Sequence, residues 1–168
     1  SWYDGETLIS GIGQGFILTS PFQLAVMTSI IASNGKIIEP TILKRNNANF
    51  KTNNKYSKEI KIIKKAMFKV VNENKGTAFK SRLEDVKFAG KTGTSQVRSI
   101  SLAERESDEF RKKEQEWKNR DHALFVGYMP YDDPQYAISV IIEHGGSGAS
   151  TAAPIAKQVF NYIQKLNL

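Results

Sequence analysis

One stretch of the chain carries residue types suited to binding an anion. It reads Gly90-Lys91-Thr92-Gly93-Thr94-Ser95-Gln96-Val97, with a lysine, a glycine and two threonine hydroxyls in a row. In an extended strand alternate side chains share a face, so Lys91 lies with Gly93. Thr92 and Thr94 share the other face unless the strand twists. Gly93 leaves space where a ligand or a neighbouring backbone must come close. An ammonium, two hydroxyls and backbone N–H groups beside a gap form a receptor for a carboxylate or an oxyanion.

Serine acyl transfer would require a nucleophile and a base beside such a receptor. A serine followed three residues later by a lysine, at the start of a helix, holds hydroxyl and amine one turn apart. This spacing occurs once, at Ser33-Asn34-Gly35-Lys36. The match falls at the end of a predicted helix and across its glycine stop. We therefore interpret Ser33 as a chance match and predict that the chain lacks a nucleophile.

The two histidines, His122 and His144, are candidates for a metal site. His122 opens one apolar stretch and His144 follows the next, so an antiparallel pair of strands could bring them together. Two ligands without cysteine or a cluster of Asp and Glu make a poor site. We predict structural roles for both, with no metal and no cofactor.

The sequence around the anion receptor predicts a sheet with helices. Residues 122–129 and 136–143 are apolar stretches joined by a loop rich in turn formers, which predicts an antiparallel hairpin. Gly145-Gly146-Ser147-Gly148 is predicted to be a flexible connection, since the Lys-Ser/Thr ending of a phosphate loop is missing. Ser150 or Thr151 is expected to cap a last helix, whose small residues suit packing against a sheet.

Two helices are predicted before the Lys91 strand. Thr19 or Ser20 can cap the first, Pro21 suits its first position and Asn34-Gly35 supplies a left-handed stop. Its apolar stripe is Leu24, Met27, Ile30 and Ile31. The second, amphipathic helix is expected over 57–74, with Gly76-Thr77-Ala78 turning the chain. The first ten residues are predicted to be irregular, 37–43 to contain a short strand, and 46–54 to form a polar loop.

Length and composition fit one soluble-type domain. The chain has 168 residues, is 40% hydrophobic and contains no run of about 20 apolar residues. It begins at Ser1 without a signal-peptide pattern, which suggests a processed, trimmed or excised piece. The absence of cysteine excludes disulfides and thiolate metal sites. Residues 99–121 are dense in charges of both signs, which predicts a solvated insertion that could also act as a flap over substrate.

The net charge of +7 is concentrated between Lys44 and Lys80, where 11 basic residues face two acidic ones. Attraction to anionic lipid headgroups or cell-wall polymers is one interpretation. A codon bias towards Lys, Asn and Ile is the other, and we favour it because neither aromatic interleaving nor a nucleic-acid motif accompanies the charge. We predict no nucleic-acid partner.

The string Gly-Lys-Thr-Gly-Thr-Ser-Gln-Val closely resembles the third signature of the class B penicillin-binding proteins, and especially the penicillin-binding protein 2 subfamily. Further motifs resemble the same family in the same order: Gly-Ile-Gly-Gln-Gly from Gly11, Gly-Thr-Ala from Gly76, and His-Ala-Leu-Phe-Val-Gly-Tyr-Met-Pro from His122. The resemblance covers nearly the whole chain, from Gly11 through Ala153. In the family the triple glycine is a buried structural loop leading into a helix near the sheet.

The resemblance implies an α+β fold, an antiparallel sheet flanked by helices as in penicillin-binding proteins and serine β-lactamases, present here only in part. Residues 1–168 would be the C-terminal half of a single transpeptidase domain and supply three strands, the last helix and part of the helical lobe. The implied activity is D,D-transpeptidation through a serine acyl-enzyme. By position, Lys91 would set the electrostatics and proton path. Thr92 and Thr94 would bind the carboxylate of substrate or β-lactam, the Thr94 N–H would be an oxyanion donor, and Gly93 would leave room for an extended substrate.

The resemblance also implies partners and a place. Partners would be peptidoglycan stem peptides, β-lactams, the missing N-terminal half of the domain and cell-wall elongation proteins. The location would be the periplasmic face of the bacterial inner membrane, with an anchor in an N-terminal segment outside this chain. Two alternatives stay open: a non-catalytic module that binds cell-wall peptide or a partner, and a D,D-carboxypeptidase or serine β-lactamase.

Overall fold

The strand that carries Lys91 belongs to a three-stranded antiparallel sheet with helices on both faces. The computed structural model describes residues 3–37, 39–43, 51–52, 54–97 and 116–166. The helices within these ranges are α1 (Asp4–Gly11), α2 (Pro21–Ala32), α3 (Ser57–Asn72) and α4 (Ala153–Lys165). The strands are β1 (Lys36–Ile37), β2 (Lys51–Thr52), β3 (Ala89–Ser95), β4 (His122–Met129) and β5 (Tyr136–Ile142). The fold is thus α+β, as the resemblance implied.

The sheet order is β3-β4-β5, and the predicted hairpin is its second half. The loop between β4 and β5 is closed by a hydrogen bond from the Gln135 N–H to the Met129 carbonyl oxygen, at 3.0 Å. On β3, Lys91 lies opposite Val126, and Gly93 opposite Leu124. β3 has β4 on one side and pairs with no second strand among the described residues.

One face of the sheet packs against α4 through aromatic and small side chains. Phe88, Phe125 and Phe160 are fully buried there, and the Phe88 ring lies 5.2 Å from Phe160 and 6.4 Å from Phe125 between centroids. Each buried phenylalanine contributes about 1.5–3 kcal/mol of hydrophobic stabilisation. Ala153 and Ala156 are also buried, which lets α4 approach the sheet closely. The prediction that small residues of this helix pack against the sheet is confirmed at Ala153 and Ala156.

The opposite face packs against α2 and α3. Ala32 of α2, Met67 of α3 and Ala89 and Tyr128 of the sheet form a second buried cluster. The helices are joined directly, because the Lys64 ammonium donates to the carbonyl oxygen of Ala32 at 2.8 Å and to Asn34 Oδ1 at 2.9 Å. A cation near the last carbonyl groups of α2 also opposes the negative end of its dipole.

The caps of α2 agree with the sequence. Ser20 is the N-cap, accepting the Gln23 N–H at 3.2 Å, while Gln23 Oε1 accepts the Ser20 N–H at 2.8 Å. Asn34 and Gly35 both have positive φ and end the helix, as predicted. The apolar stripe was predicted less well, because Met27 is exposed and Thr28 and Ala32 are the buried side chains. The Thr28 hydroxyl is satisfied by the Leu24 carbonyl oxygen at 2.7 Å.

Several local predictions were wrong. Residues 4–11 are helical rather than irregular, because Glu6 accepts the Tyr3 N–H at 2.7 Å and thereby forms half of a capping box. The turn before α4 is capped by Ser147, whose hydroxyl accepts the Ala149 N–H, and not by Ser150 or Thr151. The Thr151 hydroxyl instead donates to the Gly145 carbonyl oxygen at 2.8 Å, so the predicted flexible connection is held by hydrogen bonds.

The structure describes the remaining segments in part. The strand predicted within 37–43 is limited to the β1–β2 pair, in which Ile37 lies opposite Lys51. The polar loop predicted over 46–54 lies largely outside the described residues, and so does the charged insertion up to residue 115. α3 ends at Asn72, two residues before its predicted end. None of the helices in the described ranges is both long and apolar enough to traverse a bilayer.

Candidate active-site wall

The predicted site residues lie together on β3, beside a cavity of about 640 Å³. Lys91 and Thr94 are exposed, whereas Thr92 and Gly93 are half-buried. The Lys91 ammonium donates to the carbonyl oxygen of Thr92. The cavity wall continues onto β4 and β5 through apolar side chains, namely Leu124, Val126 and Ile141. A cationic and hydroxyl-bearing strand therefore borders an apolar floor, which suits a ligand with one anionic end.

The glycine-rich loop forms the opposite wall of this cavity. Gly11, Gly13 and Thr19 line it, and the loop leads directly into α2. Gly13 and Gly15 have φ of 77° and 98°, so the tight turn that the sequence predicted requires glycine. The structure thus brings together two motifs about 80 residues apart in the sequence.

The loop is not buried, and this part of the expectation was wrong. Ile12, Phe16 and Leu18 are 77%, 82% and 94% exposed, because the described residues leave their outer side uncovered. Leu8 of α1 and Phe22 of α2 are also exposed. We call these five exposed apolar side chains, on the loop and beside it in the sequence, the loop surface; Ile12 and Leu18 also line the cavity. An apolar surface of this kind indicates a contact site for another segment or protein.

Gly93 is packed from behind by the turn that precedes α4. A Cβ on Gly148 would collide with the carbonyl oxygens of Gly93 and Leu124 and would lie 3.0 Å from the Gly93 nitrogen. A Cβ on Gly93 itself would lie 3.3 Å from Leu124 Cβ. The lack of a side chain at Gly148 therefore accommodates the backbone of Gly93, whereas the space beside Gly93 itself is bounded by Leu124.

Thr92 is contacted from the side by the Gly-Thr-Ala turn. The Thr77 hydroxyl oxygen lies 2.9 Å from that of Thr92, which is hydrogen-bond distance. Sequence reasoning treated this motif only as a turn after α3, and treated Gly148 only as part of a linker. A turn alone requires neither a threonine at Thr77 nor a glycine at Gly148. These two residue types were the signal in the sequence that could have revealed both contacts.

The two histidines lie close together, with 4.8 Å between their ring centroids. His122 lines the cavity, and its Nδ1 accepts the backbone N–H of His144 at 2.9 Å. His144 Nδ1 lies 3.0 Å from the Arg120 carbonyl oxygen, so this nitrogen carries a proton and donates it. The Trp117 ring packs on His144 with 4.4 Å between centroids, which attaches the end of the charged insertion to the sheet. No group of three or more potential metal ligands occurs within the described ranges.

Two groups with shifted pKa values, Tyr128 and Lys64, lie in the packing between the sheet and the helices α2 and α3. Burial, followed by nearby Tyr131 and Asp132, raises the pKa of the Tyr128 phenol well above its usual value. Its oxygen has no hydrogen-bond partner among the described residues. Burial lowers the pKa of Lys64, and Asp132 opposes that shift. These groups belong to the α2–α3 packing and do not line the cavity that borders β3.

Similar proteins point to one family. The profile of the penicillin-binding protein transpeptidase domain matches residues 1–161. The peptidoglycan D,D-transpeptidases MrdA of Haemophilus influenzae and Acinetobacter baumannii are 35% and 37% identical, each over 96% of this chain. The chain covers only 26% and 25% of their lengths, about a quarter of each relative.

Solved structures agree. Penicillin-binding protein 2 from Helicobacter pylori, in a complex with MreC, has a TM-score of 0.80 at 32% identity. The match includes 98% of this chain and 28% of the H. pylori protein. Penicillin-binding protein 2 from Pseudomonas aeruginosa, in complex with WCK 5153, has a TM-score of 0.72 at 33% identity, with 96% and 34% covered. The match of sequence, of fold and of motif order leads to one conclusion: this chain belongs to the penicillin-binding protein transpeptidase domain family.

Proposed function

We propose that the chain is the C-terminal part of a transpeptidase domain and forms one wall of the active site of a peptidoglycan D,D-transpeptidase. The observation that carries this proposal is the cavity bordered by Lys91, Thr92, Gly93 and Thr94 on one side and by the glycine-rich loop on the other. Two relatives that each align with 96% of this chain are peptidoglycan D,D-transpeptidases. The substrate would be a cell-wall stem peptide, and β-lactams would occupy the same place.

Each residue of the wall has a role that its position supports. Thr92 and Thr94 offer hydroxyls to a ligand carboxylate, which accepts hydrogen bonds and cannot donate them when ionised. Lys91 adds positive charge on the same strand and thereby favours the anionic end of the ligand. The Thr94 N–H acts as an oxyanion donor, and the unpaired side of β3 accepts an extended peptide as an additional strand.

The nucleophile in this proposal comes from the missing N-terminal half of the domain. Ser33 follows the last residue of α2, and its hydroxyl lies 3.3 Å from the carbonyl oxygens of Ile30 and Lys36. A hydroxyl that donates to a backbone carbonyl oxygen is not directed at a base, as acyl transfer requires. The loop surface then becomes the contact site for the missing half, because it is apolar and adjoins the cavity.

The parent protein would act at the periplasmic face of the inner membrane and bind a cell-wall elongation protein. The support for such a partner is that the H. pylori relative was solved in a complex with MreC.

Intact mass spectrometry after incubation with excess benzylpenicillin tests the proposal. The longer protein that contains this chain and the serine half should gain one penicillin, whereas this chain alone, and a heat-denatured control, should gain none. A stable adduct on this chain alone would refute the assignment of the nucleophile to the other half. Absence of an adduct on the longer protein would refute the transpeptidase proposal and favour a binding module. Turnover of the adduct by water alone would indicate a carboxypeptidase or β-lactamase instead.

A further inference from the structure

The Gly-Thr-Ala motif is fixed against the C-terminal end of α3 more firmly than a turn requires. A Cβ on Gly76 would collide with the carbonyl oxygens of Lys69 and Val70, so this position accepts only glycine. The Ala78 N–H donates to the Val70 carbonyl oxygen at 3.0 Å, and the Ala78 side chain is buried. The two outer residues therefore hold the backbone of Thr77 in one place.

The same end of α3 is attached to the start of β3. Asn72 Nδ2 donates to the Phe88 carbonyl oxygen at 2.8 Å and to the Phe68 carbonyl oxygen at 2.9 Å. Phe88 immediately precedes β3 and is fully buried. Thr77 and Thr92 thus stand on one rigid unit, and their hydroxyl contact of 2.9 Å is supported from both sides.

We propose that Thr77 is a positioning residue for the ligand carboxylate, donating its hydroxyl proton to Thr92 Oγ1 so that the Thr92 proton is directed to the ligand. This inference rests on the proposed function of Thr92. An ionised carboxylate is an acceptor only, so Thr92 must donate to it. In the opposite arrangement, with Thr92 donating to Thr77, Thr92 would present lone pairs to the carboxylate. A bound carboxylate therefore selects the direction Thr77 to Thr92 to ligand, and each bond in such a chain polarises the next.

The test compares ligands with and without the carboxylate. In the longer protein, Thr77→Val should lower the second-order rate of acylation by benzylpenicillin about fivefold, the effect of one ordinary hydrogen bond. The rate with benzylpenicillin methyl ester, which lacks the anion, should not change. Thr77→Ser keeps the hydroxyl and should restore most of the rate. In a Thr92→Val background, Thr77→Val should have no further effect, because the residue through which it acts is absent.

The outcomes separate this inference from the proposed function. An equal loss with the acid and the ester would mean that Thr77 merely supports the fold, and would overturn the inference, as would an unchanged rate with the acid. If even the wild-type longer protein is not acylated, the proposed function fails. The inference is then judged by NMR titration of this chain with N-acetyl-D-alanine and its amide. It survives if Thr77→Val weakens binding of the acid alone, and falls if both ligands behave alike. Circular dichroism of the variants checks that each is folded.

Discussion

Gly148→Ala tests whether β3 is held in place from behind. The added methyl group would run into the carbonyl oxygens of Gly93 and Leu124, and would lie 3.0 Å from the Gly93 nitrogen. All three are backbone atoms, which cannot move aside by changing a rotamer. Relief therefore requires that the turn before α4 or the β3–β4 pair shift. Overpacking of this kind costs about 1–3 kcal/mol, a large part of the stability of about 5–15 kcal/mol of a typical domain.

Two further glycine-to-alanine variants provide matched controls. Gly5→Ala adds the same methyl group in α1, where nothing lies within 4 Å, and should stabilise the chain by about 0.5–1 kcal/mol because alanine favours a helix. Gly93→Ala places its methyl group 3.3 Å from Leu124 Cβ, a side-chain atom that can yield by a few tenths of an ångström. Its cost should be smaller, about 1 kcal/mol or less.

Urea unfolding of the chain measures all three variants against the wild type. The expected order of unfolding free energies, from lowest to highest, is Gly148→Ala, Gly93→Ala, wild type, Gly5→Ala. A Gly148→Ala variant within about 0.5 kcal/mol of the wild type, the range of ordinary surface substitutions, would refute the close-packing argument. A larger loss of unfolding free energy in Gly93→Ala than in Gly148→Ala would also contradict it, because the methyl group with the shorter contacts would then be the less destabilising one.

Two further predictions concern the supporting structure. The pKa of Tyr128 is raised by burial, so unfolding releases its proton above about pH 10, where an exposed tyrosine ionises. The contribution of Tyr128 to the free energy of unfolding of the wild type is therefore fully present below that pH and falls as the pH rises above it. Tyr128→Phe should leave the free energy of unfolding at pH 7 nearly unchanged, because the phenol oxygen has no partner in the described part of the chain. At alkaline pH the variant should lose less stability than the wild type. Parallel pH profiles of the two proteins in urea unfolding would contradict this prediction. Ser20→Ala should cost about 1 kcal/mol by removing the N-cap of α2. The Thr19 hydroxyl lies 3.5 Å from Gln23 Oε1, and Thr19→Ala should lower the free energy of unfolding by less than Ser20→Ala does. Equal losses in the two variants would contradict the assignment of Ser20 as the cap.

Patterns local in sequence predicted most of the scaffold. Ser20, Pro21 and Asn34-Gly35 mark the ends of α2 through capping rules that act within a few residues. Apolar stretches predicted β4 and β5, and the order of motifs predicted their association with the Lys91 strand. α1 escaped prediction because its N-cap is Tyr3, which is not a usual capping residue, although Glu6 supplied half of a capping box.

Contacts between distant residues could not be predicted in this way. Thr77 meets Thr92 across 15 positions, and Gly148 meets Gly93 across 55. In both cases the residue type matches a turn, so the simpler interpretation was sufficient until the packing was visible. The exposure of Met27 and of the loop surface has the same origin, since an apolar residue predicts burial only when another segment is present to cover it.

Three contacts of the wall are made by described residues of this chain, and under the proposed function they concern recognition rather than chemistry. Gly148 packs against the backbone of β3, Thr77 contacts the hydroxyl of Thr92 and Leu124 lies opposite Gly93. None of these contacts involves a nucleophilic serine. The wall should therefore keep its shape whether or not the other half of the domain is bound, and it should distinguish a carboxylate from an amide even when no bond can form. Under the proposed function, the half of the domain that carries the serine would add it to a receptor that is already formed, rather than create that receptor.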